Sequence, residues 1–357
     1  MLLTQLNRWL FDFATEASLG LQALVLIPLG LLVGGWVWEW CQRLAVEQSL
    51  LSHRVCPACG ATARWRWLPF STLWRRTPSC ATCAEWRGAG GGRLATELAT
   101  AGLFLLLCGS LTHWRGQSLT EGGSIDWFHA RMSVQLVLIV LLMAATVIDL
   151  QHYLIPDEIT LTGAILGVST ACLFGHIQFI PAWIDWNDPM VPLNGPLIPQ
   201  WIKLHAHWHG LAWSLAGATV GGGLTWIVRV LSGWILGMEA LGFGDVTLMA
   251  MIGSFLGWQP IVCVFLIAPL CGLVIGLTLQ MASARRAVPY GPYLCAATVV
   301  VLCTWRWLWL PTRKAFGDPW MLAQLGGITL TGLVVLLGAI RLYRMIPAEA
   351  REKVPPT

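Results

Sequence analysis

Two aspartates carry the chemistry to be explained. Asp149 stands in Val147-Ile148-Asp149-Leu150, and Asp245 in Gly242-Phe243-Gly244-Asp245-Val246. Each borders a long apolar run, and a carboxylate at such a boundary needs a reason. Two carboxylates that face each other can divide labour, because like charges at short range keep one protonated while the other ionises. The ionised group can take a proton from water, and the protonated one can hydrogen-bond a scissile carbonyl. That is aspartyl proteolysis. Gly242 and Gly244 suit bare backbone beside an extended peptide, which makes them candidate substrate-binding positions. The residues alone leave a transporter with acidic groups open as well, since an aspartate at a helix end is often a solvated cap. Asp157, in Ile155-Pro156-Asp157-Glu158, reads as such a cap.

A second constellation is cysteine-based. Cys56-Pro-Ala-Cys59 and Cys80-Ala-Thr-Cys83 lie 20 residues apart. Each C-x-x-C aims two thiolates at one point, and two such knuckles complete a tetrahedral zinc site. Four protein ligands leave no position for water, so the zinc is expected to be structural. The other seven of the 11 cysteines stand singly, several in apolar runs, and read as small core residues.

The elements that position these groups follow from composition. Of 357 residues, 56% are hydrophobic and only 11% charged, against about 25% in soluble domains. A soluble globule, a disordered chain and a disulfide scaffold are all excluded. The net charge of +4 is small and scattered, so nucleic acid is not an expected partner. The 22 tryptophans can anchor helices at bilayer interfaces. A span needs roughly 20 apolar residues. Runs bounded by charges predict spans at Ala17–Trp38, Leu98–Trp114, Met132–Ile148, Ile159–Gly175 and Gly210–Val228, the last closed by Arg229. Val246–Ala284 is broken at Gly257 and Pro260 into a short and a full helix, and Ala287–Trp305 and Trp320–Ile340 complete the set. The expected fold is an all-α polytopic membrane protein of eight or nine spans with a small zinc-ribbon-like module. The first run is not a cleavable signal, because Asp12 and Glu16 precede it.

Orientation follows from Lys/Arg bias. Arg43–Arg93 carries eight arginines against Glu47 and Glu85, which makes it cytoplasmic. Nine crossings then put the tail with Arg341 and Arg344 inside as well; Arg313 and Lys314 alone disagree. The same count puts Asp149 and Asp245 near one cytosolic face. His205, His207 and His209 would share a side only in an extended segment, and read as part of an external polar loop from about 176 to 209.

Taken together, the motifs resemble those of the type IV prepilin leader peptidases, membrane aspartyl enzymes of type IV pilus and type II secretion systems. In order along the chain these are Gly30-Leu31-Leu32-Val33-Gly34 with Arg43-Leu44, the tetracysteine module, Arg93 and Glu97, and Ile148-Asp149-Leu150 with Leu154-Ile155-Pro156-Asp157. Gly242-Phe243-Gly244-Asp245-Val246 and Val288-Pro289-Tyr290-Gly291-Pro292-Tyr293 follow. The resemblance covers about residues 20 to 310. It implies a peptidase that removes the basic leader of prepilin-like or pseudopilin precursors at the cytoplasmic face of the inner membrane. In bifunctional members it implies a further step, methylation of the new amine with S-adenosylmethionine. Asp149 and Asp245 would be the catalytic pair, and Cys56, Cys59, Cys80 and Cys83 the zinc ligands. The division it implies is an N-terminal span (1–45), a cytoplasmic tetracysteine module (46–93), a membrane peptidase domain (94–310, with an external insertion near 176–209) and an extra span with a basic tail (311–357).

Two departures stand out. Where the family usually carries a Ser-Phe-Leu-Asn-like stretch, this chain has Gly35-Trp36-Val37-Trp38, an indole in place of a small amide, which argues against methyl transfer. Where the family usually has lysine two residues past the second aspartate, this chain has Thr247. The alternatives are another Gly-x-Gly-Asp intramembrane protease, or a non-enzymatic transporter or scaffold with a structural zinc module. Transport predicts ionisable groups deep in the spans; the spans here are nearly free of them.

Overall fold

The computed structural model describes residues 19–44, 54–55, 62–63, 90–114, 116–117, 125–180, 197–237, 241–282 and 289–345. Among these are ten helices: α1 (Leu19–Leu44), α2 (Gly90–Thr112), α3 (Ile125–His152), α4 (Asp157–Phe174), α5 (Gln200–Leu204), α6 (Ala206–Leu236), α7 (Phe243–Leu256), α8 (Trp258–Ala282), α9 (Gly291–Gly317) and α10 (Pro319–Met345). Eight are long and apolar enough to cross a membrane, and α7 is a shorter apolar helix. This is the expected set of spans. Two-residue strands β1 (Arg54–Val55) and β2 (Thr62–Ala63) pair antiparallel, with Val55 opposite Thr62. Cys56, Cys59, Cys80 and Cys83 lie outside the described residues.

Several helices overrun the boundaries that charges suggest. α1 continues through Glu39 and Arg43, and α2 begins at Gly90, well before Leu98. The reason is pairing. Arg93 Nη1 lies 3.2 Å from Glu39 Oε1, and Arg93 Nε lies 2.8 Å from Glu97 Oε1. Charges with partners can be buried, so they do not end a helix. Glycines allow the approach: a Cβ on Gly34 would meet the Glu97 backbone at 2.7 Å, and Gly30 abuts the backbone of Ala101.

α7 spans only about 21 Å at the helical rise. It is apolar all round because it is packed all round, which is the mark of an interior helix. Gly217 and Gly221 of α6 press against its backbone at Gly253 and Met249, and Gly163 and Gly167 of α4 against Met251 and Ser254. Small residues let helix axes close up where no hydrophobic force between helices exists in lipid. Ser214 Oγ adds a bond to the Ser254 carbonyl at 2.7 Å. The turn into α8 uses Gly257 at φ +81°, with the Trp213 ring occupying the place of a side chain. By contrast, only 6% of the apolar window of α10 is buried.

The contacts gather particular helix ends at one end of the bundle. Gln42 at the end of α1 donates to Gln151 at the end of α3 at 2.8 Å. Asp149 near the end of α3 accepts from Gly291 at the start of α9 at 3.1 Å. At the other end, Arg131 at the start of α3 donates to the Gln178 carbonyl just beyond α4 at 2.9 Å. Alternating helix directions with α7 counted as a crossing produce this arrangement. The polar loop expected to reach His209 is helical from Gln200, interrupted at His205. His207 Nδ1 lies 2.8 Å from the Cys172 carbonyl, while buried His209 packs edge-on against Trp201.

Candidate active site

Asp149 and Asp245, 96 residues apart in sequence, converge. Both are buried, and Ile155 lies against both Gly244, beside Asp245, and Gly291, which holds Asp149. Each is oriented by one backbone N–H through its Oδ2 atom. Gly291 donates to Asp149 at 3.1 Å, and Gly242 donates to Asp245 at 3.2 Å. Both donors belong to helix starts, where backbone N–H groups have no intrahelical acceptor and the dipole favours an anion. Asp245 is the third residue of α7, so its carboxylate reaches back to cap its own helix.

The connection from α3 to α4 forms one wall. Tyr153 takes a left-handed conformation, φ 56°, and its N–H bonds the Asp149 carbonyl at 2.9 Å. That stops α3 and turns the chain, so that Ile155 comes back into the site. Ile155 is buried, against Gly244 on one side and Gly291 on the other. A Cβ on Gly244 would lie 3.0 Å from the Ile155 Cβ, and one on Gly291 would collide with the Asp149 carboxylate. The small residues of both motifs therefore serve close packing of the aspartates first. Gly242 is exposed, with only its own turn near its α-carbon, and can border a peptide. Asp157 occupies the first turn of α4 rather than capping it: Pro156 is the cap residue, and it makes no side-chain cap hydrogen bond.

Several site residues went unassigned in the sequence. Gly291 and Tyr290 belong to a motif noted for its resemblance, without a partner. Tyr290 precedes Gly291, the donor to Asp149, and Cys295 is buried one turn into α9. Ile155 looked like an ordinary apolar residue. Neither described ion pair involves Asp149 or Asp245.

Residues 136–277, which contain both aspartates, match the model of the type IV leader peptidase family. The chain is also similar to a Pseudomonas aeruginosa protein named prepilin leader peptidase/N-methyltransferase, 28% identical over 269 residues, or 73% of this chain and 74% of that one. A protein of the same name from Stutzerimonas stutzeri is 27% identical over 269 residues, 72% of this chain and 74% of its own length. One from Myxococcus xanthus is 28% identical over 269 residues, covering 74% of this chain and 64% of its own. No solved structure matches the chain.

Proposed function

We propose that the protein is a membrane aspartyl endopeptidase that removes the basic leader of prepilin-like or pseudopilin precursors, with Asp149 and Asp245 as its catalytic pair. The observation that carries this reading is their convergence, each held by a single backbone N–H, inside the segment that matches the leader peptidases. With Oδ2 of each carboxylate tied to the backbone, the Oδ1 atoms are available for water and substrate. One carboxylate takes a proton as water attacks the scissile carbonyl. The other, protonated, hydrogen-bonds the carbonyl oxygen and then supplies the proton for the leaving amine. Gly242 borders the extended substrate, and Gly244 lets Ile155 close the wall behind the pair. The active site would face the cytoplasm of the inner membrane, because Arg43 and Arg93, which bound the Arg-rich stretch of the sequence, lie at the same end of the bundle.

Cys56, Cys59, Cys80 and Cys83 would hold a structural zinc. The pairing of β1 with β2 supports this, since it brackets Cys56-Pro-Ala-Cys59 in the manner of a knuckle. Zinc would supply folding energy to the module and no step of the hydrolysis. S-adenosylmethionine-dependent methylation is expected to be weak or absent. Trp38 is buried, and its ring covers Gly92 so closely that a Cβ there would fall 2.5 Å from it.

A purified preparation incubated with a synthetic precursor carrying a basic leader tests the reading. Mass spectrometry should find the leader removed and the new amine unmethylated when S-adenosylmethionine is supplied. An uncut precursor would reject the peptidase assignment, and a fully methylated product would reject the role given to Trp38. Metal analysis of the same preparation should find zinc.

A further inference from the structure

Arg229 is a charge in a place that calls for explanation. It lies inside α6, seven residues before the helix ends at Leu236, or about 10 Å along the axis. A guanidinium within an apolar span is costly unless something there uses it. Its central carbon sits 5.6 Å from the centroid of the Phe243 ring, within cation–π range. Phe243 is the first residue of α7, two positions before Asp245.

The turn that presents Asp245 has few handles. Gly242 and Gly244 flank Phe243 and have no side chain, and glycine leaves the backbone unbiased. Phe243 is thus the single side chain by which the rest of the protein can grip the three residues before Asp245. It is 56% exposed, so burial does not hold it. Ile155 presses on Gly244 from one side. Thr247, two residues past Asp245, turns its hydroxyl back onto the Gly244 carbonyl at 3.1 Å and brings no charge.

We propose that Arg229 is a positioning residue for the hydrolysis, holding the Phe243 ring from α6 and so fixing the turn that aims the Asp245 carboxylate. This rests on the peptidase reading above. Arg229 touches neither substrate nor the reacting atoms; it acts through Phe243, so its loss lowers turnover and spares substrate affinity.

The test is a double-mutant cycle on precursor cleavage, with Arg229→Ala, Phe243→Leu and the combination. Each single variant should lower kcat by about three- to thirtyfold, the range of one cation–π contact, with KM unchanged. The double variant should be no slower than the slower single one, because both remove the same contact. Arg229→Lys, which keeps a cation, should recover most of the rate. Thermal midpoints should fall by no more than a few degrees, the share of one such contact. The inference is overturned if the single variants cleave at the parent rate, if their losses multiply in the double variant, if KM rises at constant kcat, or if Arg229→Lys restores the thermal midpoint and not the rate. Failure of the peptidase reading looks different: the parent protein itself leaves the precursor uncut, or Asp245→Asn still cleaves it.

Discussion

Two pairs of buried acids lie at the same end of this bundle. Glu39 and Glu97 share Arg93 between them, at 8%, 0% and 5% exposure. Asp149 and Asp245, at 4% and 8%, are buried to the same degree, but their recorded partners are backbone N–H groups. Burial does not separate the two pairs; among the described residues, the counter-ion does. The Arg93 guanidinium bonds both carboxylates, offsets one of their two charges and fixes their geometry, so the set ties α1 to α2. Two carboxylates supported by one neutral donor each still repel, and their mutual repulsion is relieved by a shared proton. The same side-chain chemistry makes a rivet in one place and a candidate catalyst in the other.

The largest effect should come from the aspartates. Asp149→Asn and Asp245→Asn are expected to lower precursor cleavage by about a thousandfold or more, since a positioned acid or base contributes on the order of 10²–10⁴. The asparagines are close in shape, so insertion and thermal midpoint in detergent should hold. Either variant cleaving at the parent rate would end the contrast between the pairs. The ion cluster should respond in the opposite sense. Arg93→Met removes the cation that Glu39 and Glu97 share, and breaking a buried ion pair costs about 3–5 kcal/mol. The expected result is a large fall in melting temperature and in yield, with the surviving folded fraction still cutting precursor. A full melting temperature with activity gone would mean the cluster belongs to the chemistry instead.

Much of this contrast is visible in the sequence, and the remainder fails to appear there for a physical reason. Long apolar runs announce the spans because a bilayer imposes a length. Counting crossings places Asp149 and Asp245 at one end without any knowledge of packing. Charges, however, were read as helix boundaries, and this holds only for charges without partners. Glu39 is 54 residues from Arg93, so nothing in local spacing reveals their pairing, and α1 and α2 run on past the expected ends. Arg229 is the same case: it closes an apolar run on paper, yet α6 continues to Leu236. Gly291 donating to Asp149 is likewise a long-range pairing, 142 residues apart. The cysteine module, clear as a motif, falls outside the described residues.

The helix seams extend the comparison to a smaller scale. Both acid pairs depend on glycine-mediated approach, at Gly30 and Gly34 for the rivet and at Gly217 and Gly253 for the helix that carries Asp245. Gly253→Ala drives a methyl into the Gly217 carbonyl. Overpacking of this kind costs about 1–3 kcal/mol. Because α7 must shift to relieve it, cleavage should fall with stability, whereas Gly34→Ala should lower the melting temperature at little cost to the rate of the folded fraction. Equal rate losses from the two would show that the seams do not distinguish the pairs.

The smallest expected effect lies in the backbone. Tyr153 holds φ 56°, the one positive value for a residue other than glycine among the described residues. A left-handed conformation costs an ordinary side chain roughly 1–2 kcal/mol. The strain persists because the turn must bring Ile155 back between Gly244 and Gly291, at the aspartate pair and not at the rivet. Tyr153→Gly removes the strain and also loosens the unfolded chain, which takes back roughly 0.5–1 kcal/mol. The net should be a gain in stability of under about 1 kcal/mol, read as a small rise in melting temperature. Cleavage should fall about two- to threefold at unchanged KM, because a glycine there no longer insists on the turn that seats Ile155. A marked loss of stability would mean that the exposed Tyr153 ring contributes packing that outweighs its backbone cost. The strain would then be a by-product of that packing, with no bearing on the aspartates.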